Sequence, residues 1–450
     1  MEVSTIKELV NTDLNEKRIH NLRSNTKRTL ENAKISKRKY FLKRIGYSII
    51  GLIVIGAMLS PVLYTLLKNA SIDVSEPEIS KPVTSPILTK TTRKVTVSTT
   101  TAPPFDQCTR EYSVLTKDTG NFISSVMTAD LNNDNKIDIV FIQESYDFVS
   151  ILFNLGNNKF TDKKLYQVEH WLQSLATGDI NNDGYVDIIV GQRDFTIAIL
   201  WNDGYGIFND IWYLPTDHFA STIYSIAVAD MNNDGKCDII ITCSIFIDLG
   251  IFYNKGNKIF SDVIRHPAGN QPMSLTVADL NDDNKLEIIV TDTRSNEIRI
   301  LSDNGNGDFF KQITYSVGYG PIYVTVGNIN NDNKLDIIVV NFFSNKINIL
   351  FNNNGIFNNQ TTLSNMVNPV FVALTDYNND GTNDIIVPNF HSNYISVFFN
   401  DGYGTFSIPV NYTTYPSPRC ASIADLNDDK KPDIIIGTEK YIGVLFTECD

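Results

Sequence analysis

The sequence predicts an all-β protein, a seven-bladed β-propeller of four-stranded antiparallel blades preceded by one transmembrane helix. Three observations carry this reading. A short Asp/Asn loop followed by an apolar run recurs seven times, beginning at residues 130, 179, 230, 279, 328, 376 and 425. Each period holds four short β-branched and aromatic runs separated by Gly, Asn and Asp. Near the N-terminus lie 23 consecutive residues without a charge.

Residues 1–44 contain 12 Lys and Arg against 5 Asp and Glu, whereas the whole chain has 38 against 51, so the bulk is strongly acidic. Such a surface repels phosphates and argues against a nucleic-acid partner. Hydrophobic residues at 42% and charged residues at 20% exclude a mostly disordered chain. The basic stretch 1–44 has no core-forming pattern and is expected to be a cytosolic tail.

Residues 45–67, Ile45 to Leu67, are long enough to cross a hydrocarbon core of about 30 Å as a helix, and Pro61 is tolerated in that setting. A cleaved signal peptide begins earlier and has a shorter apolar region. Lys37, Arg38, Lys39, Lys43 and Arg44 precede the run and only Lys68 follows closely. The positive-inside bias then predicts a single-pass protein of the plasma membrane or another secretory-pathway membrane, with its C-terminal domain extracellular. Residues 68–107 are rich in Thr, Ser and Pro and read as an extended stalk. Sequons at Asn69, Asn359 and Asn411 predict N-glycosylation.

From residue 108 to 450 the repeat has spacings of 49, 51, 49, 49, 48 and 49 residues. In the second copy, residues 174–179, 187–192, 196–202 and 207–214 are the predicted strands. Four strands in a period of this length describe a propeller blade. The seventh copy stops after its third strand (441–448), and residues 110–116 are placed to supply the fourth, closing the ring and removing an exposed edge. Counting from the loop starts puts Cys108 and Cys449 in neighbouring positions, which predicts a disulfide between them in an oxidising compartment. Cys237 and Cys243 are apolar-flanked and expected to be buried free thiols; with Cys420 they make an odd remainder, which leaves at least one thiol free or externally paired.

The loops carry side-chain oxygens at positions one, three, five and nine. They are Asp130, Asn132, Asp134 and Asp138; Asp179, Asn181, Asp183 and Asp187; Asp230, Asn232, Asp234 and Asp238; Asp279, Asn281, Asp283 and Glu287. Asn328, Asn330, Asp332 and Asp336 follow, then Asp376, Asn378, Asp380 and Asp384, and Asp425, Asn427, Asp429 and Asp433. Oxygen-only ligation by several carboxylates suits Ca²⁺, which predicts up to seven sites, the fifth weakest because it has only two carboxylates. The spacing resembles the start of an EF-hand loop, but an apolar strand follows instead of a helix. The alternative for any one loop is an Asx-type turn whose side chains cap backbone amides. Gly184, Gly235 and Gly381 at position six suit a left-handed backbone, as do Asn135, Asn284 and Asn333; Lys430 is the poorest residue there.

These repeats resemble the FG-GAP/VCBS family, which includes the integrin α-subunit propellers. The resemblance rests on ADLNNDNKIDIV (129–140), GDINNDGYVDIIVG (178–191) and ADMNNDGKCDII (229–240), with the turns NDGYGIF (202–208), DNGNGDF (303–309) and NDGYGTF (400–406). It implies a seven-bladed propeller with Ca²⁺ in the loops between first and second strands, held by the residues named above. No GAP tripeptide follows the Phe, unlike the integrin form.

The expected function is a calcium-binding, membrane-tethered recognition or adhesion domain for an extracellular protein or glycan. The alternatives are a calcium-dependent carbohydrate-active enzyme and a non-catalytic surface scaffold. No nucleophile elbow, zinc spacing or nucleophile–base pair stands out, so no catalytic residue is assigned. Trp171, Trp201, Trp212 and Tyr146 are aromatic candidates for stacking on sugars, with inter-blade packing as the alternative role.

Overall fold

The structure, a computed structural model, describes residues 92–94, 108–116 and 122–449, apart from 145, 170, 195, 217–221, 244–246, 304–308 and 310. The chain divides into two compact units, Met1–Ile87 and Leu88–Asp450, and every described residue belongs to the second. The predicted tail, the apolar run 45–67, Asn69 and most of residues 68–107 lie outside the described residues. Among the described residues no helix is long and apolar enough to cross a membrane.

Among the described residues, six four-stranded antiparallel sheets and one five-stranded sheet follow one another along the chain, with two small two-stranded ribbons at residues 154–160 and 254–260. The seven larger sheets are the seven blades. In the second blade the strands are Leu172–Gly178, Asp187–Gln192, Thr196–Trp201 and Asp210–Pro215. The fourth starts three residues later than expected because Phe208 leaves the strand and is fully buried in the core shared with the first blade. The first strand begins earlier, at Leu172, and ends at Gly178, since Asp179 already belongs to the loop.

The ring closes as expected, two residues earlier in register. Cys108–Val114 lies antiparallel to Ile442–Cys449, with Cys108 opposite Cys449 and Val114 opposite Gly443. Tyr112 packs where a Cβ on Gly443 would stand, so only glycine fits at this crossing. One feature departs from an unstructured stalk. Thr92–Lys94 pairs with Glu111–Ser113 as a fifth strand, covering the edge that the closing strand would otherwise leave open.

The core is divided into seven wedges, one between each pair of neighbouring blades. The second strand explains why: Ile188 and Val190 pack toward the first blade, whereas Ile189 packs toward the third. Side chains alternate along a strand, so a run such as DIIV must be apolar throughout when both sheet faces are covered. Each fully buried Ile or Val contributes roughly 1.5–3 kcal/mol of transfer free energy. The first strands of adjacent blades lie side by side around the axis, where Thr128 Oγ1 and Ser422 Oγ are 2.9 Å apart across the seventh and first blades.

Strand direction assigns the loops to faces. First strands run toward the Asp/Asn loops and second strands away from them, so all seven loops share one face of the disc with the turns between third and fourth strands. The connections between second and third strands, and between successive blades, share the opposite face.

Candidate functional site

Each loop winds around its own side chains. In the second loop Asp179 accepts the N–H of Asp183 on Oδ1 at 3.1 Å and that of Gly184 on Oδ2 at 2.8 Å. Asn181 Oδ1 accepts the same Asp183 amide at 2.9 Å, and Asp183 Oδ1 accepts Tyr185 N–H at 2.9 Å. The arrangement recurs around Asp130, Asp230, Asp279, Asp376 and Asp425. Asn328 in the fifth loop has a single side-chain oxygen, and that buried Oδ1 meets no donor.

Position six is left-handed as expected, at φ 88 for Gly184, 61 for Asn135 and 64 for Lys430. Sequence reasoning missed that position four is left-handed too, from Asn133 and Asn182 through Asp282 to Asn379 and Asp428. The signal was present, since every residue at that place is Asn or Asp, the types that tolerate this region.

The ninth residue differs in kind from the other three. Asp138, Asp187, Asp238, Asp336, Asp384 and Asp433 are fully buried. Asp187 Oδ2 accepts Ile180 N–H at 3.2 Å and Oδ1 accepts Asn202 N–H at 2.8 Å, so this carboxylate ties the loop's second residue to the end of the third strand. The first bond occurs in all seven loops, at 2.9–3.2 Å. Glu287 reaches it with its longer arm, Oε2 lying 2.9 Å from Leu280 N.

Burial pushes the carboxyls of Asp138 and Asp238 up to about 6. It pushes those of Asp187, Asp384 and Asp433 up to about 7. The two N–H bonds oppose the shift, and the carboxylates at positions five and one add to it. Glu287 and Asp336 shift in the same direction, chiefly from burial.

The asparagine that ends the third strand extends this unit to the next blade. Asn202 Nδ2 donates to Leu131 O of the first blade at 2.9 Å, and to Val186 O of its own blade at 2.9 Å. Asn154, Asn254, Asn352 and Asn400 donate in the same way to Leu426, Ile180, Leu280 and Ile329 of the preceding blade. The fourth blade has Asp303 at this place, whose carboxylate has no N–H to give. Asn202→Ala is expected to strand the buried Leu131 carbonyl and cost about 1–3 kcal/mol, readable as a lower midpoint in urea.

A divalent cation fits the chemistry of these loops. A buried carboxylate faced by two others is electrostatically unfavourable, and the second and sixth loops have Tyr185 and Thr382 at position seven, with no cationic side chain in the loop. In the first and third, Lys136 and Lys236 place an ammonium on Asp134 and Asp234 at 2.9 and 3.0 Å. Slight burial works against ionisation of these two, but the lysine hydrogen bonds and charge outweigh it and hold both carboxyls below the usual range. Positions one, three, five and nine would hold the ion, which would supply positive charge to the loop. Among the described residues no group of three or more His, Cys, Asp and Glu side chains forms a ready-made metal cage. The loop oxygens instead cap backbone amides, and each retains lone pairs.

The aromatic candidates separate. Trp201 is 3% exposed and belongs to the core between the second and third blades. Trp212, 44% exposed, lies on the outer strand of the second blade. Tyr146, 42% exposed, and the half-buried Trp171 lie on the face opposite the loops. Cys243 and Cys420 are buried free thiols, whereas Cys237 is only half-buried.

The family described as FG-GAP-like repeat matches residues 130–190, 179–241, 279–339, 328–387 and 376–436. No curated protein matches the chain. Among solved structures it is similar to virginiamycin B lyase from Staphylococcus aureus, at 16% identity and a TM-score of 0.54, over 75% of this chain and 99% of that one. It is also similar to BBS1N in a complex with ARL6DN, at 12% identity and a TM-score of 0.52, over 74% of this chain and 97% of that one. At these identities the likeness shows the propeller fold alone.

Proposed function

The chain belongs to the FG-GAP-like repeat family, and from that premise we propose that it is a calcium-stabilised, membrane-tethered recognition domain that binds an extracellular protein or glycan. The carrying observation is the buried ninth-position carboxylate, repeated in every blade and crowded by the carboxylates around it. A cation there would stiffen the loop, and through the terminal asparagine the interface with the neighbouring blade. The result is a rigid disc with two unlike faces, one gathering the loop carboxylates and the turn tyrosines Tyr205 and Tyr403, the other carrying the connections between second and third strands and between blades. The reading assigns the protein no catalytic step. The structural neighbours' activities belong to those proteins; the BBS1N complex, a propeller holding a protein partner, supports recognition by analogy of fold only.

The fifth loop is proposed as the weakest site, since Asn328 offers one oxygen where the others offer two. The test of the whole reading is a binding screen of the full-length protein against a peptide library and a glycan array, in Ca²⁺ and in chelator. Ligands that bind in Ca²⁺ and are lost in chelator support it; no ligand in either condition removes it.

Tethering follows from the apolar run 45–67, and alkaline carbonate that strips the protein from membranes would refute it. An extracellular location allows the Cys108–Cys449 bond, which the backbone register supports by placing the two residues opposite one another. Intact mass is expected to rise by two hydrogen atoms on reduction, and Cys449→Ser to cost roughly 2–4 kcal/mol of stability. Asn359 and Asn411 are exposed on the outer strands of the fifth and sixth blades, accessible for N-glycosylation. Glycosidase treatment that leaves the mass unchanged would count against those sites and Asn69.

A further inference from the structure

On the face opposite the loops, Glu144 of the first blade accepts Arg193 Nη2 on Oε1 at 2.8 Å and Arg419 Nη1 on Oε2 at 3.0 Å. The two arginines come from the second and seventh blades, so three neighbouring blades meet at one carboxylate. Each guanidinium also lies over aromatic rings. The Arg193 Cζ is 5.8 Å from the centre of Trp171, and that of Arg419 is 5.5 and 5.7 Å from Phe122 and Phe390. Gln173 Oε1 accepts Arg193 Nε at 2.7 Å. Burial works to raise the Glu144 carboxyl, but the two guanidinium charges outweigh it and hold it below the usual range.

The repeat supplies an internal comparison. The residue 14 positions after each loop start is Glu144 in the first blade, Arg193 in the second and Glu439 in the seventh, but Ser244, Thr293, Phe342 and Phe390 in the third to sixth. The residue six positions before each loop start is Arg419 in the seventh blade, but Ser124, Gln173, Tyr224, Met273, Ile322 and Val370 in the first six. A blade therefore folds without charge at either place, and the charges gathered in one arc are not a demand of blade geometry.

Donors are left over there. Among the described residues the Arg419 side chain donates only to Glu144, and the two arginine side chains keep 31% and 27% of their surface exposed. A guanidinium that lies beside aromatic rings and is already hydrogen-bonded presents its remaining N–H donors to a carboxylate with less entropy to lose. Elsewhere the same face exposes Tyr146, Ile247, Tyr319, Phe343 and Val367, at 42, 61, 62, 37 and 45%. Exposed aromatic and aliphatic groups sharing a face with arginine are the composition of a protein-binding surface.

We propose that this face docks a protein partner that sets an Asp or Glu side chain against the Arg193–Arg419 pair, with apolar residues of the partner on the exposed aromatic and aliphatic loops elsewhere on the same face. The proposal rests on the recognition reading above and names its face and chemistry. The resident Glu144 shows that the pair already accommodates one carboxylate; the unspent donors take a second.

The test pans a phage-displayed random dodecapeptide library on the full-length protein. Enriched peptides are expected to carry Asp or Glu, and to bind the Arg193→Gln/Arg419→Gln double variant about tenfold or more weakly at a temperature where its thermal transition shows it still folded. Changing the peptide's acid to its amide should produce the same loss. Glu144→Gln, which frees both guanidiniums, should keep or strengthen binding; a loss there would mean that the bridge is a structural strut and would overturn the proposal. Enriched peptides indifferent to the double variant overturn it while leaving recognition standing. Hyaluronan bound through the same arginines, without acidic peptides, overturns the choice of a protein partner. A library and a glycan array with no binder at all remove the recognition reading itself.

Discussion

Adding Ca²⁺ to the chelated protein is expected to raise the thermal midpoint of the propeller, and the rise should grow with pH. An ion that binds only the folded loops stabilises by RT ln(1 + [L]/Kd), about 2.7 kcal/mol per independent site at a hundred times Kd. The sign of the pH dependence follows from the ninth-position carboxyls. Burial raises their folded values to about 6 or 7 from an ordinary 3.8. Between those values the folded chain binds more protons than the unfolded chain, so protonation favours folding. Without metal this contribution is fully present below the ordinary value and is lost as pH rises through the folded one. In chelator the midpoint should therefore fall between pH 5 and pH 8. In Ca²⁺ the cation takes over the role of the proton and the fall should be small. Equal midpoints with and without Ca²⁺ at pH 8 would eliminate a stabilising ion from the mechanism.

Much of the ring was legible because its signal is redundant. One copy of D-x-N-x-D-x-x-x-D is ambiguous, but a constant period forces a common unit, and the unfinished seventh copy with a strand before the first forces closure. Three things were not legible, each for its own reason. Thr92–Lys94 sits in a stretch whose Thr/Ser/Pro composition describes an average, while pairing depends on a free strand edge that only the closed ring creates. Asn202 and its equivalents read as ordinary turn residues, because their partner is a carbonyl some 71 positions away in another blade. The Glu144–Arg193–Arg419 bridge joins residues from three blades, and |i−j| of 49 and 275 leaves no local trace. What periodicity reveals is the unit; what it hides are the contacts that the closing of the circle brings together.

Asp187→Ala is expected to be far more damaging than Asp183→Ala, although both remove one carboxylate from the same loop. Asp183 is exposed and accepts Tyr185 N–H within the loop, a bond that water replaces readily. Its loss in chelator should be within about 1 kcal/mol, the scale of a solvent-exposed hydrogen bond. Asp187 is fully buried and is the acceptor for Ile180 N–H and Asn202 N–H. Alanine leaves both donors unsatisfied, at about 1–3 kcal/mol each, and adds a cavity between blades. Asn202 also holds Leu131 of the first blade, so its displacement loosens that interface as well. Asp187→Asn separates the two roles of this side chain. Its amide oxygen accepts one N–H, but its NH₂ cannot accept the other, and it carries no charge to repel the carboxylates of Asp183 and Asp179. In chelator at pH 8 the asparagine variant should lie between wild type and alanine, and its stability should depend less on pH than the wild type's. If alanine at 183 and at 187 lowered the urea midpoint equally in chelator, the ninth carboxylate would be an ordinary ligand and not the pin that joins loop, strand and neighbouring blade.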